Sequence, residues 1–168
     1  MKINSGRDFT NAILSAFKEA WPAIVQQEGD RLSQEFIDRV KQVIDQQEQS
    51  WPPLNPRYLA RKIRRGRDPR MLVSAGAYKE SFEKSRIGGN NGDVTTWRMA
   101  PSSSRHQESG LTFAQLGMVH EYGSPARRIP PRPHWRPVLQ EFEGKKAEIE
   151  TQLLNKVVSQ VHSRLVVG

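Results

Sequence analysis

Phe82-Glu83-Lys84-Ser85-Arg86-Ile87, then Gly88-Gly89-Asn90-Asn91-Gly92, then Val94-Thr95-Thr96-Trp97-Arg98-Met99 is the stretch that sets the fold class. The first run suits a strand. The glycine and asparagine cluster suits a hairpin turn, and the second run is rich in β-branched and aromatic residues. In that second strand Val94, Thr96 and Arg98 face one way, and Thr95, Trp97 and Met99 the other. The sequence on both sides has helical spacing. The expected class is therefore α+β: N-terminal helices, a small antiparallel sheet with a hairpin, and a long C-terminal helix packed on the sheet.

Upstream, Phe9, Ile13, Phe17, Ala20 and Trp21 predict a helix over 7–26, capped by Ser5 or Asp8. Pro22 predicts a break or kink. Leu32, Phe36, Val40, Val43 and Ile44 place a second helix from about Asp30 to Glu48, with Gly29 and Asp30 as the junction. Trp51-Pro52-Pro53-Leu54 forces an extended connection. Asn55 then reads as a cap with Pro56 behind it, opening a short helix to about Arg65, closed by Gly66. Leu72 and Tyr78 bracket another helical turn.

Downstream, Pro101 to Gly110 is Ser-rich and reads as a mobile loop. Leu111 to Tyr122 reads as a short helix with a chain reversal at Gly123, and Ser124 to Pro137 as an extended, proline-rich crossover. One helix is predicted from Val138 to near Val166. The whole reads as a single domain, residues 1–168, with a helical region over 1–50 and an α+β core over 51–168.

The chain has 168 residues, a formal net charge of +8 and no cysteine. A disulfide scaffold, a thiolate metal site and a cysteine nucleophile are thereby excluded. No apolar run approaches the roughly 18 residues of a membrane span, and the first ten residues lack the apolar region of a signal peptide. A soluble protein of a reducing compartment, with no membrane partner, is expected. The hydrophobic fraction of 36% is lean, which fits a subunit stabilised by neighbours or a well-solvated monomer equally. Charge is uneven. Residues 1–50 hold six Lys or Arg against eight Asp or Glu, and the rest hold twenty against ten. The second part thus suits a polyanion or an acidic surface.

His120-Glu121 invites a zinc-protease reading, but position 124 is Ser where a second His would be needed. His106, His134 and His162 have no ligand spacing. The serines at 102–104 lack nucleophile-elbow glycines, and no Lys-Ser/Thr follows the glycine cluster. No catalytic residue, metal or cofactor is expected, and the chain reads as a non-enzyme.

Two basic clusters remain. Arg57, Arg61, Arg64, Arg65 and Arg67 are candidate contacts to DNA or an acidic partner, the plainer reading being an exposed basic helix. Arg127-Arg128-Ile129-Pro130-Pro131-Arg132-Pro133-His134-Trp135-Arg136-Pro137 reads as an arm-like crossover from which regular helix is excluded. In it Trp135 is the expected buried anchor. Arg132 and Arg136 are expected to bond to a carboxylate or to carbonyls, and Arg132 to matter for assembly if its guanidinium reaches a neighbouring chain, for its own fold if it does not.

Gly117-Met118-Val119-His120-Glu121-Tyr122-Gly123, followed by Ile129 to Pro137 and a C-terminal helix, resembles the tail-completion or neck proteins of long-tailed bacteriophages. These include the Mu-type virion morphogenesis and lambda-type minor tail protein Z groups. Trp51-Pro52-Pro53-Leu54 and Leu72 to Tyr78 are similar to the family's upstream steps. The resemblance covers roughly residues 50–160. Ala75-Gly76-Ala77-Tyr78 stands where Thr-Gly-x-Leu is usual, and Trp135 replaces the usual Phe. The resemblance implies a structural virion subunit at the head–tail junction, forming a homo-oligomeric ring of six or twelve copies. Its partners would be the head connector or head-closure protein, a tail terminator or tail tube protein, and genomic DNA passing through the lumen. His120, Tyr122, Gly123, Pro131, Arg132, Pro133, Trp135 and Arg136 are the implied interface or anchor residues. The rival reading is a basic nucleic-acid-binding protein.

Overall fold

The computed structural model describes residues 6–88 and 95–167. The turn expected over Gly89 to Gly92, the strand start at Val94 and the cap at Ser5 lie outside the described residues. The class is α+β, with a two-stranded antiparallel sheet among helices. In order the elements are α1 (Gly6–Gln46), α2 (Pro56–Arg64), α3 (Ala77–Glu80), β1 (Phe82–Ile87), β2 (Thr96–Pro101), α4 (Phe113–Tyr122), a 3-10 turn (Pro125–Arg127), α5 (Arg136–Gly144) and α6 (Lys146–Val167). No helix among the described residues is long and apolar enough to cross a membrane.

The chain divides into two compact units. One takes α1 up to Leu32, the chain from Arg86 to Trp97, and the chain from Glu143 on. The other takes Ser33–Ser85 and Arg98–Phe142. The division falls inside α1, away from residue 50.

In the first unit, α1 runs unbroken through Pro22, so of the break or kink that the sequence predicted there the break does not occur. An interior proline costs a helix about 3 kcal/mol. Packing on both sides offsets that cost, since Ala20 and Ile24 are buried with Val157 of α6, flanked by Trp21, Leu153 and Val161. The buried stripe is Ala12, Ala16, Ala20 and Ile24, while Phe9 and Phe17 are exposed. Alanines every fourth residue let another helix approach closely, and the aromatic spacing had pointed to the wrong face. Lys156 reaches the buried Glu28.

Gly29 is no junction. A Cβ there would stand 2.2 Å from the Trp97 ring, so glycine makes the seat on which the indole lies. The indole N–H donates to Asp30 at 2.9 Å.

In the second unit Phe36, Ile37, Val40, Val43 and Ile44 of α1 form one core with Trp51, Val73, Tyr78, Phe82 and Val138. Asn55 caps α2 by accepting from Arg57 N and Tyr58 N, as its Asn-Pro start predicted. The Ser-rich segment is held in place: Ser102 N donates to Ser81 O, Phe113 N to Ser104 O, and Arg105 pairs with Thr112. Thr112 and Gln115 close a capping box at the start of α4. The predicted single C-terminal helix is two, α5 and α6, parted after Gly144. Glycine is a poor helix former, and the chain changes units there.

Candidate functional site

The last turn of α4 and the proline-rich crossover fold onto each other through their backbone. Gly123 turns the chain at φ 78°, and a Cβ there would stand 2.9 Å from Ile129 O and from Pro131 N. Only glycine suits both the dihedral and the space. The chain returns through a paired bridge between Ser124 and Ile129 and the 3-10 turn between them.

Pro130, Pro131, Pro133 and Pro137 have no N–H, so the donors of the crossover are few and can be followed one by one. Arg132 N donates to His120 O at 2.6 Å. The next three, from His134, Trp135 and Arg136, all go to the Glu121 carboxylate, at 2.9, 3.1 and 3.1 Å. The Arg136 guanidinium adds Nε to the same carboxylate at 2.9 Å and Nη2 to the Glu121 carbonyl at 3.1 Å. Glu121 thus caps α5 from a different helix, where the positive end of the helix dipole favours an anion. Burial pushes its pKa up, but the three N–H groups and Arg136 prevail and hold it below the ordinary carboxylate value.

His134 is fully buried beneath this cap. Its Nδ1 lies 2.9 Å from Arg132 O, which can only accept, so Nδ1 carries the proton. Nε2 then accepts from the Tyr78 hydroxyl at 2.7 Å. Burial pushes the His134 pKa down and the Tyr78 pKa up, so both stay neutral. Tyr78 also meets the rings of Phe82 and His120 edge-on. Beside it, Gly117 leaves room for Pro101 and the Tyr78 hydroxyl, each 3.1 Å from where a Cβ would be. His120 has its Nδ1 buried with no partner among the described residues, and burial lowers its pKa to about 3.

The arm also holds the Trp51–Pro53 segment. Trp51 Nε1 donates to Pro133 O at 2.9 Å. Arg132 lies buried in its own fold and donates from Nη2 to Pro52 O and Pro53 O at 3.1 and 3.4 Å, the carbonyl bonding expected of it. Trp135 is half-buried against Phe36 and Phe82, and the fully buried anchor is His134. Helix α5 takes in Arg136 and Pro137, because a proline in a first helical turn gives up no needed donor. Tyr122 is exposed under the Arg136 guanidinium, 5.0 Å from the ring centre, and Pro131 is exposed on the arm.

The basic stretch separates into two groups. Arg57, Arg61, Arg64 and Arg65 are exposed on and just after α2. Lys62 points the other way: it is buried, with Nζ bonded to Arg70 O and Val73 O, and burial depresses its pKa. Arg67 is bound to Glu108 and Ser74. Arg70 is bound to Asp68 and to Asp45 O.

Sequence reading missed Glu121 as a cap and His134 and Tyr78 as its buried support. The available signal was a carboxylate at the end of an apolar helix, shortly before a run whose prolines leave three adjacent donors. Among the described residues no group of three or more His, Cys, Asp or Glu is placed to hold a metal.

An uncharacterised protein of Methanocaldococcus jannaschii is 25% identical to this chain over 124 residues, covering 73% of this chain and 82% of that protein. No family model matches the chain, and no solved structure matches it.

Proposed function

We propose that this chain is a structural, non-enzymatic subunit of a bacteriophage neck, a tail-completion protein that joins the head connector to the tail as a homo-oligomeric ring in the virion. The observation that carries this reading is that the motifs of the resemblance, distant in sequence, meet in one assembly. Trp51 to Pro53 docks on Arg132 and Pro133, Tyr78 bonds His134, and Glu121 caps the arm. Many of their polar groups are engaged with one another, though His120 Nδ1, Arg132 Nε and Trp135 Nε1 have no partner among the described residues.

A ring repeats one head-to-tail contact until it closes. Exposed Met118, Tyr122 and Leu139 offer apolar surface for such a contact. Electron microscopy of the purified protein, alone and with a head connector, tests the reading. Closed rings are expected. A protein that stays monomeric at micromolar concentration with the connector, and is absent from purified virions, overturns it.

The second reading, a basic nucleic-acid-binding protein, draws on the exposed arginines of α2. Binding to free DNA by a monomer that never assembles would favour it.

A further inference from the structure

We infer that the arginine face of α2 is a nucleic-acid contact that reads the phosphate backbone without sequence preference. At 3.6 residues per turn, Arg57, Arg61, Arg64 and Arg65 share an arc of about 100°. They recur along the axis in steps of about 6 Å or less. All four are exposed, and none meets a carboxylate at ion-pair distance among the described residues.

Some arginines of the same unit contrast with them, while Arg98, Arg105, Arg127 and Arg128 are likewise exposed without an ion pair among the described residues but do not share one helix face. Arg39 joins Glu48 and Glu141, Arg67 joins Glu108, Arg70 joins Asp68, and Arg136 joins Glu121. Lys62, on the opposite side of α2, is withdrawn into the fold as a staple for the following loop. The helix therefore sorts its cations, one inward and the arginines outward.

From Pro56 to Arg65 there is no acidic residue. Arginine is itself enriched at protein interfaces, but beside aromatic and apolar residues around a desolvated centre. Glu108, bound to Arg67, is the acidic group felt at the Arg65 end of the row. A row of forked cations, none of them paired with a carboxylate among the described residues, suits a repeating anion instead, since guanidinium groups bind phosphate oxygens in pairs. Tyr58 borders the row, exposed, with the Arg61 guanidinium 5.4 Å from its ring centre. This stacking holds the Arg61 fork beside the row and adds a flat face next to it. α2 carries this nucleic-acid contact whether or not the subunits form a ring.

The test is fluorescence anisotropy of the full chain with a labelled DNA duplex of about 25 base pairs, titrated between about 50 and 200 mM salt. Two duplexes of unrelated sequence should bind alike. Arg61→Ala/Arg64→Ala should lower the slope of log K against log salt by about 2, near 0.9 for each phosphate no longer neutralised. Lys145→Ala/Lys146→Ala removes the same charge at the start of α6 and should leave binding within about twofold. Equal weakening in both variants, or an unchanged slope in the arginine variant, overturns the inference. Binding of poly-glutamate with no binding of DNA overturns it in favour of an acidic protein partner. Rings that fail to bind DNA overturn it and leave the neck reading standing, and DNA binding without rings does the reverse.

Discussion

Glu121 holds the backbone N–H of His134 at 2.9 Å while its carboxylate stands 3.4 Å from the His134 imidazole Nδ1. One carboxylate therefore fixes both the course of the crossover and the start of α5. The imidazole proton is directed to Arg132 O, and the hydroxyl of Tyr78 closes the other side of the ring. Buried polar networks of this kind are stable only when every member is satisfied.

Glu121→Ala should be among the most damaging single substitutions in the chain. It strands the three backbone donors, and a buried donor left without a partner costs about 1–3 kcal/mol, while the half-exposed Arg136 guanidinium can turn to water. Glu121→Gln keeps one accepting oxygen and should lose less. Urea denaturation of both variants checks the order, and a Glu121→Ala protein as stable as wild type would refute the cap.

The pH dependence of stability has a definite sign. Burial depresses the folded pKa of His134, and that of His120 to about 3, below the ordinary imidazole value. The unfolded chain then binds protons that the folded chain refuses. Stability is fully present above about pH 6.5 and is lost as pH falls toward the folded values. In that window the slope should approach about 1.4 kcal/mol per pH unit for each histidine. Glu121, also depressed, adds to the loss at lower pH, below the unfolded carboxylate value. His120→Phe removes an imidazole whose Nδ1 has no partner among the described residues. It should fold, and it should reduce the slope measured by urea titration between about pH 6.5 and 4.5. An unchanged slope would show that His120 is charged in the fold.

Two glycines should behave differently from a third. Gly123→Ala meets backbone atoms at 2.9 Å and a positive φ, so it should cost well over 1 kcal/mol. Gly29→Ala drives a methyl into the Trp97 ring and should shift tryptophan fluorescence as the indole moves. Gly144→Ala has nothing within 4 Å and should be neutral or stabilising by up to about 1 kcal/mol. Thermal melts and emission spectra of the three variants check this.

What was legible in the sequence was local. Asn55-Pro56 announces a capped helix, Phe82 to Ile87 a strand, and Gly123 a reversal, because each depends on residues near in sequence. Pro22 does not end the helix because the burial of Ala20 and Ile24 with Val157 comes from over a hundred residues away. Gly29 misled, as only the fold brings Trp97 to it. Arg67 read as a candidate contact because its partner, the carboxylate of Glu108, leaves no periodic trace, and the carbonyls of Arg70 and Val73 that hold Lys62 leave none either. At the candidate site the proline pattern was visible, but the destination of the remaining donors was not.

Arg132 offers the sharpest test of whether the arm is held within the subunit. It is 5% exposed, and it donates to the carbonyls of Pro52 and Pro53 without a carboxylate beside it. Burial lowers its pKa, a sign that the site strains against the charge it holds. The two bonds to Pro52 O and Pro53 O are only part-buried and carry no partner charge. The long side chain therefore matters chiefly as filling. Arg132→Met, of similar length and uncharged, should stay within about 1 kcal/mol of wild type, since a buried charge replaced by a well-packed apolar group is often tolerated. Arg132→Ala removes that filling and should cost about 2–4 kcal/mol through the cavity. Chemical denaturation of both, with ring formation followed in parallel, separates the roles. A stable Arg132→Ala subunit that fails to assemble would return Arg132 to the subunit interface. Equal destabilisation by Met and Ala would mean that the bonds to Pro52 and Pro53, rather than the packing, hold the arm in place.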